Sequence, residues 1–577
     1  TFTWIRGKHQ LKIGGLVIRN DKNERITGSL PGAFNFQNQG NSISTGNPLF
    51  DAQIGNYFQY SEADSDKFVY TRFYQVEGFV ADTWRAAKNL TVDVGVRYYR
   101  MGAPYDRYNT LSTFDVSRFD ANRAQQVIPS GVGAGELRPG VGIPSNGLVF
   151  PGDSFPSPGR VSERARNSNL FSNYPRGLFA SEHRFSPRLG FAYDWGGKAD
   201  FVLRGGIGIF YDRLATGRTV ESGGNPPFVR TVTLFEGSID DPAQGRRQAE
   251  FPLAVASLRP DIRTPETYNW NLGFQKKMPF NSILDVNYVS TQGRALLRRP
   301  DINQISPATR NANLAVNINS LRPYQGYTTI RLYESGASSS YHGLQAGWSR
   351  RYAKKLTFST AYTWSKVLTD ASGDTSEPEN TFDYRRERGR ASFDRNPVLV
   401  VSYIYELPIL ANRSDLLGRF LGGWQISGLT QLQSGPWLTP TINTPTGGRR
   451  PDVVGGATYI DHRNFQTLTG GNGQPVAGNC FFDPTPGKTF VAPDPNRFGN
   501  AGNSMIQGPG RHNWDISLFK RFAITEGMNL QFRAEAFNFF NHAQFRAPNM
   551  NASDRAYGTV SATGPPRLIQ FGLKLLF

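Results

Sequence analysis

The connections between the extended segments of this chain alternate strictly in length, and this alternation restricts the possible folds more than any other feature. The segments themselves alternate apolar and polar residues, which is typical of strands with one apolar face. Most of them reach ~10 residues, the length at which a tilted strand crosses a bilayer. The sequence predicts fifteen strands, at 1–5, 8–19, 68–84, 89–100, 186–195, 199–211, 268–277, 282–290, 338–351, 354–368, 391–406, 422–433, 511–522, 527–540 and 566–577.

The length of each connection predicts on which side of the sheet it lies. Short connections such as 85–89 and 195–198 alternate with long ones such as 101–185 and 212–267. Alternation places every short turn on one side of the sheet and every long loop on the other, as in outer-membrane barrels. In hydrocarbon, strands can span only as a closed barrel, because every backbone polar group needs a partner. The predicted fold is all-β: a transmembrane, antiparallel, up-and-down β-barrel with short periplasmic turns and long extracellular loops.

Composition agrees with a chain built from sheet and turns. Phe, Tyr and Trp make up 13% of the 577 residues, with 41 Phe and 24 Tyr, as expected for aromatic belts at membrane interfaces. No window holds the ~18 consecutive apolar residues of a membrane helix, which excludes a helical membrane protein. The net charge of +18 comes from scattered residues without a DNA-binding motif, so we expect attraction to anionic lipids or solutes and no nucleic-acid partner.

The sequence contains no signature of a catalytic or metal site. Its six histidines never fall at HExxH or another close metal-binding spacing, and no GxSxG motif occurs. The glycines of 204–212 lack the third glycine and the following helix of a phosphate-binding loop, so we interpret them as sites of close backbone approach. Cys480 is the only cysteine and can form no internal disulfide. The expectation is a protein that is not an enzyme and holds no cofactor.

The order and number of several longer segments resemble the barrel of TonB-dependent outer-membrane receptors, specifically the Oar-like group. Examples are VEGFVADTWRAAKNLTVDVGVRYY at 76–99 and FSPRLGFAYDW at 185–195. The other segments that carry the resemblance are 268–293, 339–366, 392–408, 423–435, 508–545 and the terminal IQFGLKLLF. The resemblance implies a barrel of about 22 strands closed by an N-terminal plug. It also implies energised import of a large, scarce solute, driven by the TonB complex through a short TonB box.

The resemblance also sets expectations for the chain as a whole. The chain begins TFTWIRGKHQ, without Met and without a signal region. Residues 1–577 are therefore interpreted as an N-terminally truncated receptor barrel, without signal peptide, plug and TonB box and short of about seven strands. Expected partners are outer-membrane lipid and lipopolysaccharide, the barrel assembly machinery, the TonB complex through the missing N-terminal region, and an unknown large solute. The expected location is the bacterial outer membrane.

Two groups of candidate site residues follow from the alternation along the predicted strands. The terminal strand carries one apolar set, which resembles the signal recognised by the outer-membrane assembly machinery: Phe571, Leu573, Leu575 and Phe577. Polar residues on the opposite face of their strands are predicted to face the lumen or the plug: Asp93, Arg97, Arg533, Glu535, Gln570 and Lys574. A polar wall in contact with water and plug is one interpretation of this second set, and direct solute binding is the other.

Three functions remain open at this point: a TonB-dependent receptor, a passive porin or surface adhesin, and a secreted soluble β-rich binding protein. The long loops, above all 101–185 and 434–510, are rich in Gly, Pro, Asn and Asp. Loops on a rigid barrel are where recognition normally occurs. First contact with the solute and flexible surface cover are equally compatible with their composition.

Overall fold

The computed structural model describes most of the 577 residues. The described residues are 1–26, 32–38, 41–157, 161, 163–166, 170–245, 247–353, 355–410, 415–457, 459–460, 466–469, 475–478, 480–483, 485, 487–525 and 527–577. Within these residues, no helix is both long enough and apolar enough to span a membrane.

Fifteen long strands form one antiparallel sheet in which each strand pairs with the next one along the chain, which confirms the predicted fold class. The strands are β1 Phe2–Arg6, β2 His9–Arg25, β3 Phe68–Ala87, β4 Leu90–Met101, β5 Glu182–Asp194, β6 Phe201–Tyr211, β7 Glu266–Met278, β8 Ser282–Arg298, β9 Tyr327–Ala353, β10 Leu356–Thr369, β11 Val398–Glu406, β12 Trp424–Gln433, β13 Arg511–Ala523, β14 Asn529–Phe537 and β15 Leu568–Leu576. Among the described residues no ladder joins β1 to β15, so these two strands are the sheet edges.

The predicted alternation of short and long connections is present throughout the sheet. The turn between β7 and β8 shows how the sequence makes a tight connection: Phe280 and Asn281 both have positive φ, at 62° and 56°. Two consecutive positive φ values match the right-handed twist of the paired strands. All short turns lie at one end of the strands, and all long connections lie at the other.

Several strand boundaries differ from the prediction. Strand β9 begins at Tyr327 rather than at 338, because its first residues pair in parallel with a segment of a long connection, Leu253–Leu258. Strand β11 begins at Val398 rather than at 391. Pro397 immediately precedes it and has no N–H to donate, so the ladder starts only after this residue.

The sheet has one apolar face that is exposed. Val94, Leu189, Ile207 and Trp270 are directly paired neighbours on four consecutive strands, and they form a continuous row. Their exposed fractions are 51%, 52%, 58% and 37%. Such a row would be costly in water, but it is the surface that a strand-built membrane protein presents to lipid.

The described parts of the seven long connections fold together into a structure that we call the loop cap. Its strands are Ala33–Asn35, Asn56–Ala63, Tyr105–Asp106, Thr113–Phe114, Leu148–Val149, Thr231–Ser238, Arg247–Ala249, Leu253–Leu258, Gly389–Arg390, Trp437–Leu438, Asp452–Val453, Gln466–Thr469, Pro475–Gly478, Phe490–Val491 and Ile506–Gln507. Its α-helices are α1 Pro48–Ile54, α2 Glu163–Arg166, α3 Thr216–Glu221 and α4 Pro307–Asn311. A fifth helix, α5 Leu416–Leu421, lies in the turn between β11 and β12.

Short helical turns complete the cap, and local sequence explains where they start and stop. In the described part of the chain the 3-10 turns are Val116–Arg118, Ala121–Arg123, Ser222–Gly224, Pro242–Gln244, Ile318–Leu321 and Tyr384–Arg386. Helix α1 shows the pattern of signals: the Asn47 side chain accepts from the Leu49 N–H at 3.0 Å, Pro48 occupies the first position, and Gly55 ends the helix at φ 81°.

The hydrophobic core of the described residues lies in the loop cap and in the adjoining ends of the long strands. One cluster includes Val69, Leu111, Leu258 and Tyr333, each at most 1% exposed. A second cluster belongs to the connections after β12 and β14 and is made of Ile442, Phe481, Phe482, Phe490, Ile506, Ala552, Tyr557 and Val560. The connections are therefore packed structures with their own cores.

Candidate functional site

The polar candidates at the C-terminal end share one face of strands β14 and β15. The register pairs Glu535 with Gln570, and Gln570 Nε2 donates to Glu535 Oε2 at 2.6 Å. Arg533 Nη2 donates to Gln531 Oε1 at 2.8 Å, and Gln531 pairs with Lys574. These side chains form one polar ladder at this sheet edge.

The polar candidates on β4 have partners on the neighbouring strand β3. Thr83 Oγ1 donates to Asp93 Oδ1 at 2.5 Å. Arg97 Nε lies 2.7 Å from Glu77 Oε2, and the guanidinium carbon is 5.1 Å from the centre of the Phe79 ring. Many strands separate β4 from β14, so the six polar candidates form two separate groups rather than one site.

The four apolar candidates of the terminal strand lie opposite the polar ladder. Phe571, Leu573 and Leu575 pair with Ala534, Phe532 and Leu530, respectively, so both strands present apolar side chains on this face. The exposed fractions are 73% for Phe571, 70% for Leu573, 46% for Leu575 and 96% for Phe577.

The loop cap contains a partly open cavity of about 740 Å³. Three long connections line it: those after β4, β6 and β8. The lining residues are Arg118, Arg123, Gln125, Leu137, Ile143, Pro144, Ser145, Asn146, Gly147, Leu148, Val149, Leu170, Phe171, Pro226, Pro227, Arg230, Thr231, Glu250, Phe251, Leu253, Gly326 and Tyr327. A volume of this size falls within the range of pockets that hold whole organic ligands.

Buried hydrogen bonds between connections fix the frame of this cavity. Asn225 Nδ2 donates to the carbonyl oxygens of Ser112 and Ala256, at 2.8 and 2.6 Å. Tyr327 donates through its hydroxyl to the carbonyl of Asn146 at 2.8 Å, and Tyr327 itself is only 2% exposed. Because buried polar groups that lose a partner are costly, these bonds hold the connections after β4 and β6 and the start of β9 in one arrangement.

A hydrogen bond beside the cavity sets the charge of a neighbouring group. The Tyr174 hydroxyl donates to Asp115 Oδ2 at 2.6 Å. Burial, together with this bond to a carboxylate, raises the pKa of Tyr174 to about 12. The phenol is therefore neutral at physiological pH, and Asp115 keeps its negative charge next to the cavity wall.

The chemistry that this site offers is binding. Arginine, amide and hydroxyl groups line the cavity together with apolar and aromatic walls. In the part of the chain that the structure describes, no group of three His, Cys, Asp or Glu side chains is placed to hold a metal ion. Cys480 is buried, directly before Phe481 of the second cluster, and burial raises the pKa of its thiol.

One protein family covers nearly the whole length of the sheet. The model of the outer membrane beta barrel domain family matches residues 1–570. The chain belongs to this family. It is a multi-strand β-barrel domain of the outer membrane, as the sequence predicted.

Solved structures similar to this barrel domain include transporters and receptors. The outer membrane transporter YddB from Escherichia coli is 11% identical, with a TM-score of 0.49 and coverage of 100% of this chain and 52% of its own. FpvA from P. aeruginosa bound to heterologous pyoverdines is 11% identical, with a TM-score of 0.41 and coverage of 100% and 46%. The ferric yersiniabactin uptake receptor FyuA from Yersinia pestis is 8% identical, with a TM-score of 0.38 and coverage of 100% and 56%.

The barrel domain spans about half the length of these solved proteins. Among curated proteins, none matches it by sequence.

The cavity residues of the barrel domain were not among the candidates from sequence. One signal was available: the five residues FDVSR at 114–118 are followed directly by FDANR at 119–123. This tandem repeat places Arg118 and Arg123 in the cavity wall. The alternation that identifies strands does not detect such a repeat, because it lies within a long loop.

Proposed function

We propose that this chain is the C-terminal barrel portion of a TonB-dependent receptor of the Oar-like group. The whole protein takes up a large, scarce solute across the outer membrane, with energy from the TonB complex. In this proposal the plug and the TonB box belong to the rest of the protein, and the barrel does not act as an enzyme.

The observation that carries the proposal is the loop cap with its cavity. A passive porin needs an open mouth through which small solutes diffuse. Here the connections after β4 and β6 are instead joined by buried hydrogen bonds to each other and to the start of β9, around a space of about 740 Å³. A binding space of this size above a membrane barrel suits a receptor that first captures a scarce solute and then admits it.

In this proposal, the polar face of the sheet is the lumen wall. Asp93 and Arg97 on β4, and Arg533, Glu535, Gln570 and Lys574 on β14 and β15, face the plug and lumen water. The apolar face contacts outer-membrane lipid and lipopolysaccharide, because charge on that face would cost ~2–4 kcal/mol at the bilayer midplane. Phe571, Leu573, Leu575 and Phe577 serve as the signal for the barrel assembly machinery.

The test decides whether the whole protein that contains this chain is a TonB-dependent receptor or a passive channel. The protein is purified from outer membranes, mixed with the periplasmic domain of TonB from the same bacterium, and separately inserted into planar lipid bilayers. We expect TonB to co-purify with it, and we expect no stable conductance because the plug closes the lumen. A stable open channel together with no TonB binding would contradict the proposal and support the porin.

A further inference from the structure

The two arginines of the tandem repeat are presented to the cavity by the same local structure. In each copy the aspartate, Asp115 or Asp120, accepts a hydrogen bond at 2.9 Å from the backbone N–H two residues later. One turn of 3-10 helix follows and ends in the arginine, Arg118 or Arg123. Aspartate in this position is a standard cap for such a turn, so the repeat builds two equivalent turns.

The phenylalanines of the repeat anchor these turns in the cap. The rings of Phe114 and Phe119 lie 5.0 and 5.1 Å from the Tyr324 ring, measured between centroids, in edge-to-face geometry. Phe114 is 4% exposed and packs in a core cluster with Leu148 and Tyr327. The backbone of both turns is therefore held by apolar contacts, while the two guanidinium groups extend away from the core.

The charges that line the cavity do not cancel. Arg230 is paired with Glu250, at 2.8 Å between Nη2 and Oε1, and among the described residues Glu250 is the only acidic one in the lining. Within the described residues, no carboxylate forms an ion pair with Arg118 or Arg123. The cavity thus offers two guanidinium groups, whose planar donors suit carboxylate, phosphate or sulfonate oxygens in pairs.

The remaining walls are apolar and partly aromatic. Phe171 and Phe251 line the cavity together with Leu148 and Tyr327. Aromatic and aliphatic walls with a few placed charges are typical of sites for organic ligands rather than for bare inorganic ions. A neutral sugar would leave the positive charge of the two arginines uncompensated, and the acidic residue of the lining, Glu250, is already paired with Arg230.

We propose that the cavity binds an organic anion, with its acidic groups against Arg118 and Arg123 and a flat apolar portion against Phe171 and Phe251. This proposal rests on the proposed receptor function and names the chemical class of its solute. The +18 net charge of the chain would draw such an anion toward the cap.

The experiment measures binding of pyrene tetrasulfonate, a soluble aromatic polyanion, to the whole protein in nonionic detergent by fluorescence anisotropy. We expect saturable binding that weakens with salt. The double variant Arg118→Gln/Arg123→Gln should weaken binding at least about tenfold, because it removes two charge-assisted contacts. Arg138→Gln is the matched control: Arg138 is exposed on the same connection, outside the cavity lining. It should change affinity less than about twofold.

A second variant and a competitor test the apolar part of the proposal. Phe251→Ala should also weaken binding, and inorganic phosphate at equal concentration should compete poorly. Unchanged affinity in the arginine double variant, an equal loss in Arg138→Gln, or full competition by phosphate would overturn the proposal. Binding in detergent needs no TonB, so this outcome is distinguishable from failure of the receptor function, which the TonB and conductance measurements report.

Discussion

Replacement of Arg450 by methionine tests how the connections of the loop cap are held together. Arg450 lies in the connection after β12 and is 4% exposed. Its Nε atom pairs with Glu379, its Nη2 atom pairs with Glu387, and Nη1 donates to the Arg386 carbonyl at 3.2 Å. Both carboxylates belong to the connection between β10 and β11, and their side chains are 7% and 5% exposed. One buried guanidinium thus joins two connections.

The expected free-energy cost of Arg450→Met depends on which hydrogen-bond partners the two carboxylates lose and which they keep. Without Arg450, two acidic groups remain in a site with little access to water. Glu379 still accepts from the backbone N–H groups of Arg449 and residue 450, at 2.7 and 2.6 Å, and Glu387 still accepts from Asn503 Nδ2 at 2.9 Å. Removal of one partner of a buried ion pair costs ~3–5 kcal/mol. Because these other donors remain, we expect about 3 kcal/mol, or roughly 100-fold more frequent opening of the contact.

Hydrogen exchange of the Val454 amide measures this opening. That N–H donates to the Thr489 carbonyl at 2.9 Å, next to the two-stranded pairing that follows Arg450. In Arg450→Met its exchange should be faster by about two orders of magnitude. Arg449→Met is the matched control, since Arg449 is exposed and adjacent in sequence. It should leave the rate within about twofold.

Removal of the two acidic groups together with Arg450 separates the effect of unpaired buried charge from the effect of lost side-chain packing. The triple change Arg450→Met, Glu379→Met and Glu387→Met leaves no buried charge behind and should recover most of the lost protection. An increase of less than about fivefold in Arg450→Met, corresponding to about 1 kcal/mol, would refute the reasoning that this contact holds the connections together.

Three further predictions concern the wall and the cap. Deletion of Phe577 from the whole protein should lower the amount of folded barrel in the outer membrane, measured by heat-modifiable gel mobility, and normal assembly would count against the insertion signal. Leu573→Arg should cost ~2–4 kcal/mol if this face meets lipid, whereas Lys574→Arg on the opposite face should assemble normally. Burial lowers the pKa of Lys67 to about 8. This pKa lies below the unfolded value of ~10.4, so cap stability should rise between about pH 8 and 10, and Lys67→Met should abolish that rise. Proteolysis rates of the cap across this pH range measure the effect, and a flat profile in the parent protein would contradict it.

The barrel wall was predictable from sequence because its signals are local. Strand alternation and connection length can be counted along the chain, and all fifteen predicted strands are present. The faces were also predictable: the register sets Phe571 and Leu573 on the side opposite Gln570 and Lys574, in agreement with the alternation of the terminal strand. Boundaries were less reliable, because pairing with cap segments lengthens strands such as β9 beyond the region with a clear pattern.

The partners of the polar candidates were not predictable, because they depend on register between strands. Arg97 pairs with Glu77 on β3 rather than with Asp93, four positions earlier on its own strand. The loop cap was still harder to predict. Arg450 contacts a carboxylate 71 positions away, and no periodic pattern in a loop rich in Gly and Pro indicates such a contact. The cavity depends on three connections at once, so composition alone left recognition and surface cover equally open.

The connection between β10 and β11 joins two of the core clusters of the cap. On one side, Asp374 lies 3.1 Å from Arg218, and Glu377 lies 2.7 Å from Arg299, close to the cluster that contains Tyr333.

On its other side, the same connection holds Arg450 next to the second cluster, through Glu379 and Glu387. Each cluster is apolar inside, and apolar packing is dense and resists deformation. The strength of the ion pairs between the clusters depends on salt and on a bound ion nearby. Two of the connections that line the cavity, those after β4 and β6, contribute residues to the first cluster, so an anion bound there adds negative charge on one side of these ion pairs. We therefore expect a bound solute to change the position of these two clusters relative to each other through the ion pairs, while each apolar cluster moves as a unit.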